Sequence, residues 1–129
     1  APGGFLSILW NPRDIALSPF HLDIEKIIGE YIPNLRRVSS GSDKHVRNYH
    51  HELISTGLFE DVIFVEHCYR IKMSKERYIG AWRSVNDIQV QAGPERFASI
   101  ISEIENKAKN LDEIEVPYKT RSWTVRRKD

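Results

Sequence analysis

Trp10 and Asn11 stand where the apolar run Phe5-Leu-Ser-Ile-Leu-Trp10 gives way to Asn11-Pro12-Arg13-Asp14. An aromatic and an amide at the C-terminal end of a parallel-type strand can hold a small organic ligand, because ligands of open α/β sheets bind at that end. A core tryptophan beside a turn asparagine is the competing reading. Tyr78, Trp82 and Asn86 recur every fourth residue, a spacing that places them on adjoining turns of one helix face.

The histidines raise metal and acid–base chemistry. No HExxH pattern occurs, since Glu52 follows His51 directly. On one helix His45 and His50 would lie about 140° apart, and His50 and His51 about 100°, so they converge poorly on an ion. A polar helix face is the better reading, and we expect no metal. His67 could be a general base, a role that imidazoles commonly take. It alternates with Tyr69 on an apolar strand face, which marks a core or pocket histidine. Cys68 lies in no pattern that marks a nucleophile and reads as structural. No G-x-S-x-G elbow is present, so hydrolase chemistry has no support. Arg121, Arg126, Arg127 and Lys128 with Trp123 between them could hold a single nucleic-acid strand by stacking and phosphate contact. The acidic Asp112-Glu-Ile-Glu115 just before them favours an ordinary terminal strand, and no nucleic-acid partner is expected.

The elements that must position these groups are legible from periodicity. Two glycines precede Phe5–Trp10, and its continuous apolar run predicts a strand buried on both faces. Ser18-Pro19 starts a helix carrying Phe20, Ile24, Ile27, Ile28 and Tyr31, which Pro33 stops. Asn34 to Ser42 reads as loop. Asp43 is the expected cap of a second helix with Val46, Tyr49, Leu53 and Ile54 on one face, closed by left-handed Gly57. Phe59 to Met73 predicts one long strand, with Ile63, Val65, His67, Tyr69, Ile71 and Met73 on the apolar face. Ser74 caps a third helix bearing Tyr78, Ile79, Trp82, Val85 and Gln89. Gly93-Pro94 breaks it and opens a fourth, striped by Phe97, Ile100, Ile101, Ile104, Ala108 and Leu111. A strand over Glu115 to Arg126 closes the order β-α-α-β-α-α-β, with no repeat.

Composition bounds the alternatives. The 129 residues suit one domain, with 40% apolar and 29% charged residues, a globular balance that excludes disorder. Nineteen basic and eighteen acidic residues leave a net charge of +1, so no strong field draws nucleic acid or an anionic membrane. The single cysteine excludes an intrachain disulfide and a CxxC zinc site, and points to a reducing, cytoplasmic setting. No apolar run approaches the roughly 20 residues of a membrane span. The chain opens on Ala-Pro-Gly-Gly without an initiator methionine, and we expect it to be a piece of a longer protein.

With these residues in that order, the chain resembles the C-terminal half of a class I S-adenosylmethionine-dependent methyltransferase of the small-molecule branch. Pro2-Gly3-Gly4 before Phe5–Trp10 is similar to the turn before that family's fifth strand. Gly57-Leu-Phe-Glu-Asp-Val62 resembles its approach to the sixth strand. Met73-Ser-Lys-Glu-Arg-Tyr-Ile-Gly-Ala-Trp-Arg-Ser84 looks like a lid helix. Val116-Pro-Tyr-Lys-Thr-Arg-Ser-Trp-Thr-Val-Arg126 looks like the seventh strand, which runs antiparallel and slots between the fifth and sixth.

The resemblance implies an α/β, Rossmann-like sheet portion of three strands with about four helices. It implies a methyltransferase parent acting on a small-molecule acceptor, whose pocket we expect to be lined by Trp10, Asn11, Tyr78, Trp82 and Asn86. The bland reading of Tyr78 and Trp82 is core. The family's glycine-rich loop after the first strand has no counterpart here, and Gly3-Gly4 precedes a strand where a binding loop must follow one. S-adenosylmethionine is therefore expected in the parent but not on this chain alone, and the bare first strand is expected to drive homo-oligomer formation. The rival expectation is a self-contained, non-enzymatic α+β module that binds a ligand or a partner.

Overall fold

The computed structural model describes residues 1–37 and 48–129. Asp43, His45 and Val46, expected to cap and line the second helix, lie outside the described residues. The elements run β1 (Phe5–Trp10), a 3-10 turn (Ile15–Leu17), α1 (Pro19–Tyr31), α2 (Tyr49–Ser55), β2 (Phe59–Ser74), α3 (Lys75–Arg83), α4 (Asn86–Lys107) and β3 (Glu113–Arg127). The architecture is α/β, with four α-helices among the described residues and one three-stranded antiparallel sheet.

β3 is the central strand, antiparallel to β1 on one side and to β2 on the other. β1 and β2 therefore run in the same direction without touching. The one described ladder of β1 is thus the antiparallel one with β3, and no described strand pairs parallel to it. Register then assigns the faces. Ile8, Trp123 and Phe64 form one row, and Trp10, Arg121 and Glu66 the next row on the same face. Leu9, Ser122 and Val65 belong to the opposite face, with Asn11 following in alternation.

The main core forms where α1, α3 and α4 pack on the second of these faces, at the Met73 end of β2. Ile24, Ile28, Tyr78, Trp82, Ile88, Ile100 and Ile104 meet Met73, Ile114 and Val116 there. Each such aliphatic side chain contributes about 1.5–3 kcal/mol when fully buried. A smaller cluster lies under α2 on the other face, where Leu53 packs on Trp123 and Val125 with Ile8, Trp10, Phe59 and Val62 around them. Asp61, at φ 54°, accommodates a bulge between Glu60 and Ile63, and this lets both Phe59 and Val62 reach the α2 side.

Local signals act largely as the sequence implies. Ser74 Oγ accepts from Arg77 N at 3.3 Å and caps α3, while Gly57 closes α2 at φ 71°. Asn48 caps α2 instead, accepting from His50 N at 3.0 Å. The third helix ends earlier than expected. Ser84 Oγ turns back onto Ala81 O at 2.7 Å and Val85 is extended, so Asn86 opens α4 and shares no helix face with Tyr78 and Trp82. The break expected at Gly93-Pro94 is present: Gly93, at φ 74° and ψ 168°, is non-helical, and two helical stretches of α4 meet there at a kink.

Two burial expectations are corrected. β1 is not buried on both faces: Phe5 and Leu9 are each 71% exposed and Leu6 40%. On β2, Ile63, Val65 and His67 are exposed because the helical layer covers only the far half of their face, and Phe64 on the opposite face is exposed as well. The charges of β3 are largely paired, Arg121 with Glu66 at 2.6 Å and Arg126 with Glu60 at 3.0 Å. Among the described residues no helix is long and apolar enough to cross a membrane.

Candidate functional site

The turn after β1 is pinned to β3 by backbone. Lys119 N donates to Pro12 O and Asp14 N to Pro117 O, both at 2.9 Å. Asp14 is buried with Lys119 Nζ 3.5 Å from its carboxylate, which fixes the charge in place. The residue between them, Arg13, is thereby held with its guanidinium carbon 4.6 Å from the Trp82 ring centre. A cation over an indole face contributes about 0.5–2 kcal/mol, more as water is excluded. A second guanidinium, that of Arg37, lies 5.9 Å from the same ring and pairs with Glu25 at 3.1 Å and Asp87 at 3.4 Å.

Asn11 projects from the end of β1 on the helix-covered face of the sheet. Its Nδ2 donates to the Tyr69 hydroxyl at 3.0 Å, and its Oδ1 accepts from Thr120 Oγ1 at 2.7 Å. Tyr69 stacks on Tyr118 at 5.5 Å and on His67 at 6.1 Å. Tyr118 packs in turn on the main core. An exposed polar–aromatic strip thus runs from His67 past Asn11 toward Arg13.

Behind Arg13 lie Tyr78, Trp82 and His21. Tyr78 and Trp82 meet edge to face at 6.3 Å, and His21 meets Tyr78 likewise at 5.6 Å. All three are buried, at 0%, 2% and 1% exposure for Tyr78, Trp82 and His21. His21 Nδ1 lies 2.7 Å from Ser18 Oγ, while its Nε2, the Tyr78 hydroxyl and Trp82 Nε1 have no hydrogen-bond partner among the described residues. Burial pushes the His21 pKa down to about 4, with Arg13 adding to the effect. Burial raises the Tyr78 pKa, and the nearby Trp82 N–H opposes this shift without meeting hydrogen-bond geometry.

The chemistry open to this cluster is therefore that of neutral hydrogen-bonding groups beside a fixed cation. An imidazole protonating near pH 4 is a poor base at neutrality, so Ser18 and His21 do not make a nucleophile pair. The arrangement suits orienting an uncharged or anionic small molecule at Asn11, Arg13 and Tyr69, with Tyr78, Trp82 and His21 as packed support.

The structure brings together three of the five sequence-derived residues. Asn11, Tyr78 and Trp82 share one side of the sheet, Asn11 at its exposed front. Trp10 alternates to the opposite face and packs in the α2 cluster. Asn86 is exposed at the start of α4. Arg13 and His21 escaped the sequence reading. His21 had a signal, a histidine three and seven residues before Ile24 and Ile28 on the buried stripe of α1. Arg13 had none, since its role depends on the turn docking against β3. Among the described residues no trio of histidine, cysteine or carboxylate side chains is grouped to hold a metal ion. No protein-family model matches the chain, and no curated protein matches it in sequence.

Proposed function

We propose that the chain is the substrate-side portion of a methyltransferase that moves a methyl group from S-adenosylmethionine to a small molecule. One observation carries this reading. The last strand runs between the other two and antiparallel to both, the arrangement of the fifth, seventh and sixth strands in the family that the sequence resembles. The edge of β1 that no described strand pairs supports it, since a further strand would fit there. Asn11, Arg13 and Tyr69 at the end of β1 would meet the methyl acceptor. Their work is alignment, because the sulfonium is already activated and the displacement needs an in-line approach. The cofactor would be bound by an upstream half. A glycine-rich strand–loop–helix encoded before Ala1, and methyl transfer by the complete protein to a small-molecule panel, are the expected results. A start codon immediately before Ala1 overturns the reading.

A second reading, a non-enzymatic ligand-binding module, is favoured by a groove of about 420 Å³ on the opposite face of the sheet. Ligand binding there by a protein with no upstream half would decide for it.

A further inference from the structure

That groove opens between α2 and the sheet, away from Asn11 and Arg13, and is lined by Asn48, His50, Phe64, Glu66, Arg121 and Trp123. Its volume falls within the range of about 300–1,000 Å³ that small-molecule sites occupy. The floor is aromatic. Phe64 lies 5.1 Å from Trp123 at a 38° tilt, and Tyr49 meets Trp123 edge-on at 5.3 Å. Trp123 is 2% exposed and anchors this floor, whereas Phe64 is 49% exposed and offers a ring face to an incoming molecule.

The polar wall sets two donors, Arg121 and Asn48, beside the Glu66 carboxylate, whose Oε2 already accepts from Arg121. Arg121 uses Nε on Glu66 Oε2 at 2.6 Å, and its two Nη groups have no partner among the described residues. Its side chain is only 19% exposed, so the fork is held rather than mobile. Register places it between Trp10 and Glu66 in one cross-strand row, which fixes it from both sides. Asn48 spends its Oδ1 on the His50 backbone N–H, leaving its amide N–H groups as the available end. A guanidinium edge beside an amide donor matches the paired oxygens of a carboxylate, and a planar apolar body matches Phe64.

We infer that this groove is a binding site for a flat aromatic carboxylate, separate from any methyl-acceptor site. The carboxylate takes the Nη edge of Arg121 and the Asn48 amide, and the ring lies on Phe64 against Trp123. The inference does not depend on the methyltransferase reading.

The test titrates 2-naphthoate, its neutral amide and naphthylmethylammonium into the 129-residue chain, following backbone and indole N–H signals by NMR. Saturable shifts at Asn48, His50, Arg121 and the Trp123 indole are expected with the carboxylate, the other two binding about tenfold more weakly or less. Arg121→Lys keeps the charge but loses the fork, and should weaken the carboxylate about tenfold. Phe64→Ala, at a half-exposed edge-strand position, should weaken all three ligands without unfolding the chain. Equal or tighter binding of the ammonium compound overturns the inference. So does the absence of saturation by about 10 mM, or shifts confined to the face carrying Leu9 and Val65.

Discussion

The Arg13 guanidinium is held 4.6 Å from the centre of the Trp82 ring, at the point where β1 meets the helical layer. The pair joins the exposed front of the candidate site to its core. Replacing either partner should therefore separate packing from recognition. Trp82→Ala removes a fully buried indole and should cost about 3–5 kcal/mol in urea unfolding. Arg13→Ala should cost only about 0.5–2 kcal/mol. If Trp82→Ala left stability unchanged and altered only ligand affinity, the tryptophan would be a pocket wall and not core.

His21 gives the site a definite response to acid. Its folded pKa of about 4 lies below the ordinary 6.5, so the unfolded chain takes up the proton first. Stability is then full above about pH 6.5 and falls as pH drops toward 4, by at most about 2–3 kcal/mol. Thermal unfolding from pH 7 to pH 4.5 should show a falling Tm. In His21→Leu that slope should flatten, and an unchanged slope would place the acid sensitivity elsewhere.

Much of this arrangement was legible in the sequence because the signals were local. Pro19, Ser74 and Gly57 act through their immediate neighbours, and the apolar stripe of α4 needs no distant partner to be recognised; Ser18 stands at the N-cap of α1 but turns its Oγ to His21 Nδ1 and makes no side-chain cap bond. Burial was less legible. The run Phe5–Trp10 reads as doubly buried, yet nothing in six residues records whether layers exist to cover them. Phe5 and Leu9 are exposed because, on their face of the sheet, the described helices pack at the Met73 end. Asn86 fails for a different reason: Ser84 folding back onto Ala81 ends α3 one turn too soon for the expected face. Arg13 was invisible because a turn docked by Lys119 and Pro117 depends on residues about a hundred positions away, and such docking leaves no periodic trace.

The isolated chain should neither bind S-adenosylmethionine nor transfer a methyl group. The reason is geometric: a cofactor loop must follow a strand and open a helix, with glycines where the ligand meets backbone. After β1 the chain offers Asn11-Pro12-Arg13-Asp14 instead, and Asp14 is buried there on Lys119. Calorimetry should show no heat of binding at cofactor concentrations of about 100 µM. Micromolar affinity would move the cofactor site onto this chain.

Assembly follows from the edge that β1 leaves open. Among the described residues β1 pairs with β3 alone, and its Phe5 and Leu9 are each 71% exposed. Ile63 and Val65, at 58% and 57%, continue the same uncovered face across β3 on β2. An unpaired strand edge recruits another chain through its free N–H and C=O groups, and adjoining apolar area adds to the drive. The simplest closed solution is a two-fold dimer in which two copies of β1 pair antiparallel. Light scattering over a concentration series should show the 15.0 kDa chain giving way to twice that mass. Leu9→Lys places a charge on the exposed face without touching the core, and should shift the equilibrium back to monomer. A monomer at every concentration, with the variant indistinguishable from it, would show that this edge is protected without a partner and would favour the self-contained ligand-binding reading.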